Sequence, residues 1–285
     1  VLIVLVRTVI RFSPRDEDQL FAACGKGLPD LDASHLSRTF GRWSELGLFT
    51  SNDDGIVIAE PWKALLGSKA DEAEARLPRI LRTIALSPEN NERFWEAEGG
   101  RSADFSRGVA WMLAQDVYTV PQSTSDLNVR LGRQLNEAKG VSIVQNETRW
   151  VGLRAWMPYL GFAREGGRLD VDPTDALRDA LPAIFGSAKM LLATEFLDRA
   201  GKELPVLDGG KYRRAVEDVL NDAAWPKPAA GRLSTSLSRA LLRLEREGRV
   251  KLEQRSDTGE GLALTRRQNQ SWRDFSHISL TKKAS

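Results

Sequence analysis

The sequence predicts a mainly α-helical protein with small β-hairpins, and three observations lead there. A stretch with helical periodicity occurs twice, as S-H-L-S-R-T-F-G-R-W-S-E-L-G from Ser34 to Gly47 and as T-S-L-S-R-A-L-L-R-L-E-R-E-G from Thr235 to Gly248. Each copy ends in glycine, and strand-like runs follow each glycine. Helix, glycine and hairpin form the closing half of a winged helix-turn-helix, whose last helix is the usual reader of a DNA groove and whose hairpin is the wing. The expected architecture is therefore tandem winged helix-turn-helix units joined by helical segments.

The two copies obey the same local physics. Leu36, Phe40 and Trp43 recur at spacings of four and three, as do Leu237, Leu241 and Leu244, so each stretch is an amphipathic helix with one buried stripe. Ser34 and Thr235 stand ready to cap the starts. Gly47 and Gly248 fall just past the last buried position, where a left-handed residue commonly ends a helix. Leu48 to Ile58 reads as two β-prone runs around a D-G turn, and Arg249 to Leu264 as a longer hairpin with a flexible tip.

Taken in order, Val1 to Val6 is an apolar core helix or strand, and Pro14 to Cys24 is a helix with an acidic first turn. Residues 26–32 turn into the first repeated helix. The first winged helix is expected over 1–61. A helical segment over 62–120 offers Phe105, Val109, Met112 and Leu113 on one face, with a Pro/Asn break at Ser87 to Asn91. Pro121 to Ser125 marks a boundary. Over 121–186, W-M-P-Y-L-G-F and a Gly-Gly turn between strand-like runs suggest a degenerate third unit, and Asp172 to Phe185 a capped helix. The C-terminal winged helix with its basic tail occupies 187–285, with Trp272 and Phe275 able to anchor the tail.

Composition limits the function classes. At 285 residues the chain can bury two or three cores, and a formal net charge of +2 names no partner. The lone Cys24 rules out a disulfide framework, which makes the cytoplasm the expected compartment. The opening apolar run is far short of the roughly 20 residues of a membrane span and lacks the features of a signal peptide. The missing initiator Met predicts residues before Val1.

Charge separates the two copies. Residues 227–285 hold 13 Lys+Arg against 6 Asp+Glu, or +7, and everything before them, 28 against 33, or −5. At about 100° per residue the outer positions are Ser34, Arg38, Arg42 and Glu45 in the first copy and Thr235, Arg239, Arg243 and Arg246 in the second. The second copy is the expected DNA contact: Thr235, Ser236, Ser238, Arg239, Arg243 and Arg246 on the helix, Lys251 and Arg255 on the hairpin, Arg266 and Arg267 beyond. Such cations give salt-dependent phosphate affinity, with sequence read by arginine forks. In the first copy Glu45, Asp53 and Asp54 repel phosphate, so Ser34, Arg38, Arg42 and Glu45 are candidates for protein docking. The bland alternative is a solvated arginine face with internal ion pairs, for which Glu245, Glu247 and Glu253 are available. Trp43, Trp111, Trp150 and Trp156 read as core, and His35 and His277 as surface or capping residues.

No catalytic constellation is legible. G-G-K-Y at Gly209 to Tyr212 lacks the first glycine and the hydroxyl of a phosphate loop. D-E-A-E at Asp71 opens a helix, E-P-W-K at Glu60 lacks an acidic partner, and no G-x-S-x-G elbow occurs. No Cys/His spacing supports a metal, and no cofactor, membrane or small-molecule substrate is expected.

The segments L-S-R-T-F-G-R-W-S-E-L-G-L-F, A-D-F-S-R-G-V-A-W-M-L-A-Q-D, L-P-V-L-D-G-G-K-Y-R and L-S-T-S-L-S-R-A-L-L-R-L-E-R-E-G, with a closing F-S-H-I, together resemble the bacterial DpdG family over most of the chain. Members are encoded with the enzymes that insert 7-deazaguanine derivatives into DNA and with the associated restriction components. The resemblance implies an accessory, non-enzymatic part of an anti-phage restriction apparatus, and it supplies no catalytic residues. The expected function is a DNA-binding and docking subunit that works on double-stranded DNA with partners such as a helicase or nuclease. A winged-helix transcriptional regulator and a purely protein-binding scaffold are the alternatives.

Overall fold

The computed structural model describes residues 1–28, 32–96, 100–135, 140–164, 166–255 and 261–281. The chain forms two compact units, 1–92 and 93–285. The expected segment 62–120 is shared between them. Among the described residues no helix is long and apolar enough to cross a membrane.

In the first unit the opening run is the helix α1 (Leu2–Phe12). Its β-branched residues accept helical geometry because Leu2, Leu5, Val6 and Val9, spaced by threes and fours, fall on one covered stripe. The helix α2 (Glu17–Ala23) is capped by Asp16 and leads to α3 (Ala33–Glu45). Buried Leu36, Phe40 and Trp43 form the predicted stripe, with Phe40 set against Phe21 and Phe49. The cap of α3 is Asp32 instead of Ser34, accepting from the Ser34 amide at 2.8 Å. Strands β1 (Phe49–Asn52) and β2 (Gly55–Ile58) then pair antiparallel. The helices α4 (Trp62–Leu66) and α5 (Ala70–Leu86) complete the unit, with α5 on α1 and Arg7 bridging Asp71 and Glu74 at 2.6 Å each.

The second unit is built around α6 (Ala103–Ala114), buried on nearly every side. After α7 (Thr124–Gln134), the helix α8 (Glu147–Tyr159) approaches α6 so closely that a Cβ on Gly108 would lie 2.7 Å from Leu153. The short strands β3 (Ala163–Arg164) and β4 (Asp170–Val171) follow, then α9 (Thr174–Phe185), β5 (Met190–Leu192), α10 (Ala193–Glu203), α11 (Lys211–Glu217) and α12 (Thr235–Arg246). Ser234 caps α12, one residue before the expected Thr235.

The hairpin expected at Arg249 to Leu264 does not form. Instead β6 (Val250–Glu253) pairs with β9 (His277–Leu280), which also takes β5, giving the antiparallel order β5-β9-β6. The strand β7 (Leu262–Arg266) pairs with β8 (Gln270–Phe275). Buried Ile278 stands in register between buried Leu191 and Leu252, an apolar row three strands wide. The tip at 256–260 and the last residues, 282–285, lie outside the described residues. Phe275 is fully buried and anchors the tail; Trp272 is half exposed and does not. His277 is buried in the central strand beside the Ser276 hydroxyl, contrary to its expected surface place.

One backbone arrangement occurs three times. Gly47, Gly161 and Gly248 follow α3, α8 and α12 with φ of 91°, 81° and 65°. Their amides donate to Ser44, Pro158 and Glu245 carbonyls, and the next amides, on Leu48, Phe162 and Arg249, donate to Trp43, Met157 and Leu244 carbonyls at 2.8 Å each. The hairpins close alike: the amides of Ala59, Asp172 and Thr281 donate to the carbonyls of Leu48, Phe162 and Arg249. In the third copy β7 and β8 are inserted between the two strands that close. Trp225 and the glycine pair of Gly209 and Gly210 serve packing, and a Cβ on Gly210 would lie 2.4 Å from the Pro205 carbonyl oxygen.

Two glycines in the first unit separate backbone strain from steric collision. A Cβ on Gly47 meets nothing within 4 Å, whereas one on Gly55, at φ +122°, lies 2.5 Å from the Pro14 carbonyl oxygen. Gly47→Ala is expected to cost about 1 kcal/mol, and Gly55→Ala at least about 3 kcal/mol. Denaturant midpoints of the two variants at unchanged m-value check the ranking.

Candidate nucleic-acid interface

The start of α12 is fixed by buried polar groups. The Ser234 hydroxyl accepts from the Leu237 amide at 3.2 Å, while its own amide and hydroxyl both donate to Asp208 at 2.6 Å. Asp208 also pairs at 3.3 Å with Arg213, a fully buried guanidinium that bonds Glu217 at 2.6 Å. The L-D-G-G-K-Y-R segment is thus a clamp on the cap of α12. Charges this deep need partners on both sides.

Three of the predicted contact residues turn inward. Thr235 accepts from the Val117 amide at 3.0 Å, Ser236 donates to the Leu113 carbonyl at 2.7 Å, and Ser238 accepts from the Thr265 amide at 2.8 Å. All three are buried, because the end of α6 and the inserted β7 enclose the first half of the helix. Their hydroxyls are therefore not on a surface that a groove could meet.

Arg239 and Arg243 meet the middle hairpin. Arg239 donates to Asp170 and to the Val171 carbonyl, and its guanidinium lies 5.5 Å from the Tyr118 ring centroid. Arg243 pairs at 2.8 Å with Asp172, whose side chain has no exposed surface. The second oxygen of Asp172 accepts from the Thr174 amide and hydroxyl. The bland alternative also describes the remaining acids: Glu245 takes Arg273 at 2.7 Å, Glu247 takes Arg178, and Glu253 takes Lys251 at 2.8 Å and Arg255 at 3.7 Å. The hydrogen bond from Lys251, followed by the charges of Lys251 and Arg255, holds the Glu253 carboxyl below its ordinary value. Arg246, Arg266 and Arg267 are exposed, and no ion pair to another described residue forms at any of them.

The outer face of α3 is open by comparison. Ser34, Arg38 and Glu45 are exposed and Arg42 is half-buried, with Arg38 bonded to Ser34 and Arg42 to Glu45 within the helix. The sequence placed no candidate on the middle module. There Arg154, Arg164 and Arg168 surround a hollow of about 440 Å³. The visible signal was the R-E-G-G-R run at Arg164 to Arg168.

A larger cleft of about 840 Å³ lies beside the start of α12. Gln115 and Gln134 line it, with Trp111 donating to Gln134 and Gln134 to Gln115, each at 2.9 Å. Arg130 on its wall has its pKa lowered by burial, with Asp126 and Asp116 acting the other way. This near balance of charge selects no single ligand class.

The family model described as DpdG-like matches residues 1–258. The chain belongs to the DpdG-like family. Membership associates it with the Dpd system of 7-deazaguanine DNA modification and with that system's other subunits. No curated protein and no solved structure matches the chain at a significant level.

Removal of Arg243 leaves Asp172 as a buried, uncompensated charge. Arg243→Ala is expected to destabilise the second unit by roughly 3 kcal/mol, and Arg243→Ala with Asp172→Asn to recover part of that loss. Thermal unfolding of the two single variants and the double variant measures the coupling.

Proposed function

We propose that this chain is a non-catalytic winged helix-turn-helix subunit of an anti-phage DNA restriction apparatus, contacting duplex DNA and docking partner subunits such as a helicase or nuclease. The observation that carries the proposal is the threefold helix–glycine–hairpin arrangement with matched closing bonds, in a chain whose family accompanies DNA modification. The order β5-β9-β6 beside α12 adds the three-stranded sheet that such a unit uses.

The DNA contact in this reading is directed at phosphates. With the first half of α12 enclosed, Arg246, Arg266 and Arg267 are the predicted contact residues that stay exposed without an ion pair to a described residue, while Lys251 and Arg255 share Glu253. Phosphate contacts position a protein without reading sequence, so binding is salt-dependent and tolerant of sequence. Partner docking falls to the open face of α3, at Ser34, Arg38, Arg42 and Glu45. A pure protein-binding scaffold is the second reading, favoured by the ion pairs that occupy Arg239 and Arg243.

Duplex titration of the full chain across about 50–200 mM salt tests the proposal. Wild-type protein is expected to bind random duplex with a steep salt dependence. Replacing Arg246, Arg266 and Arg267 with Ala is expected to flatten the log–log slope by up to about 0.9 for each phosphate that is no longer neutralised. Failure of the wild-type chain to bind duplex at the lowest salt leaves the scaffold reading. A preference of several orders of magnitude for one short operator would instead mark a transcriptional regulator.

A further inference from the structure

We propose that the middle hairpin is a phosphate clamp for the backbone of double-helical DNA, made by Arg154, Arg164 and Arg168; this rests on the DNA-contact reading above. The three guanidiniums come from separate pieces of backbone, α8, β3 and the turn before β4, and wall one hollow of about 440 Å³ together with Ala155, Pro158 and Leu169. No described residue lining it carries a carboxylate. By sequence, residues 154–168 hold three arginines against the single acid Glu165, or +2.

Two acids that follow in the chain, Asp170 and Asp172, are already engaged. Asp170 is the cross-strand partner of Arg164, and Asp172 follows β4. Arg239 holds the first and Arg243 the second. The arginines of α12 therefore neutralise Asp170 and Asp172, and the run 154–168 keeps its sequence charge of +2 with Glu165 included. A cluster of like charge on a surface raises the local potential and attracts a polyanion.

The clamp is also held in shape. Arg154 donates to the Gln122 carbonyl at 2.8 Å, and its guanidinium lies 5.7 Å from the Trp150 ring centroid. Gln122 in turn fastens the far end of the turn, accepting from the Leu169 amide at 2.8 Å and donating to the Leu169 carbonyl at 3.1 Å. Arg164 and Arg168 remain exposed at the mouth. Of the three residues between them, Glu165 carries a carboxylate by sequence, while Gly166 and Gly167 present no side chain and let a sugar–phosphate strand approach the backbone closely. Planar guanidinium forks suit phosphate oxygens.

Fluorescence anisotropy of the full chain with a random duplex of about 20 base pairs at about 100 mM salt tests the clamp. Arg164→Ala with Arg168→Ala is expected to weaken binding by about tenfold and to lower the salt slope by nearly 2. Gly167→Glu adds an acid where a Cβ meets nothing within 4 Å, so it is expected to weaken binding equally while leaving thermal unfolding unchanged. Wild-type binding that neither variant alters overturns the clamp and leaves the DNA-contact reading standing. No duplex binding by the wild-type chain overturns both. Anionic vesicles that bind the wild type and release the variants, while duplex affinity stays unchanged, overturn the clamp in favour of a lipid surface.

Discussion

A carboxylate with no exposed surface requires a counter-ion, and Asp172 has Arg243. With Asp170 and Arg239 beside it, this pairing fixes α12 against the middle hairpin. Much of the second unit depends on that contact. It joins residues about seventy apart in sequence, orients the start of α9 through Thr174, and turns two arginines of α12 away from solvent. Breaking such a pair is far more costly than never having it, because the abandoned charge stays buried.

The same contact redistributes charge. The basic C-terminal end is visible in composition, yet four of the six cations from Arg239 to Arg255 are matched by local or distant acids. Among the exposed guanidiniums without such a match are Arg246 at the end of α12, Arg266 and Arg267 at the β7–β8 bend, and Arg164 and Arg168 on the middle hairpin. Surface potential follows such compensation more closely than it follows net charge. The three helix–glycine–hairpin modules share one backbone scheme while presenting different faces: α3 open, α8 flanked by arginines, α12 enclosed.

Local features of the fold were legible. The stripes of Leu36, Phe40 and Trp43 and of Leu237, Leu241 and Leu244 are buried as their spacing requires, and Gly47 and Gly248 are left-handed. The W-x-x-x-L-G-F signal in the middle region corresponds to the same glycine bonds, with Pro158 accommodated in the last turn of α8. Caps were less legible. Asp32 and Ser234 precede the residues expected, because any nearby short polar side chain can reach the same amides.

What the sequence determined by itself was whatever depends on neighbours a few residues apart: helices, their buried stripes, the terminating glycines and the family to which the chain belongs. Only the tertiary structure decided which strand pairs with which, and which outer faces remain outer. The β5-β9-β6 sheet joins segments up to ninety residues apart, and the arginine stripe of α12 is met by acids that no local period announces. Helical periodicity separates an apolar side from a polar one, but it does not say whether water, an acid or a phosphate will face the polar side.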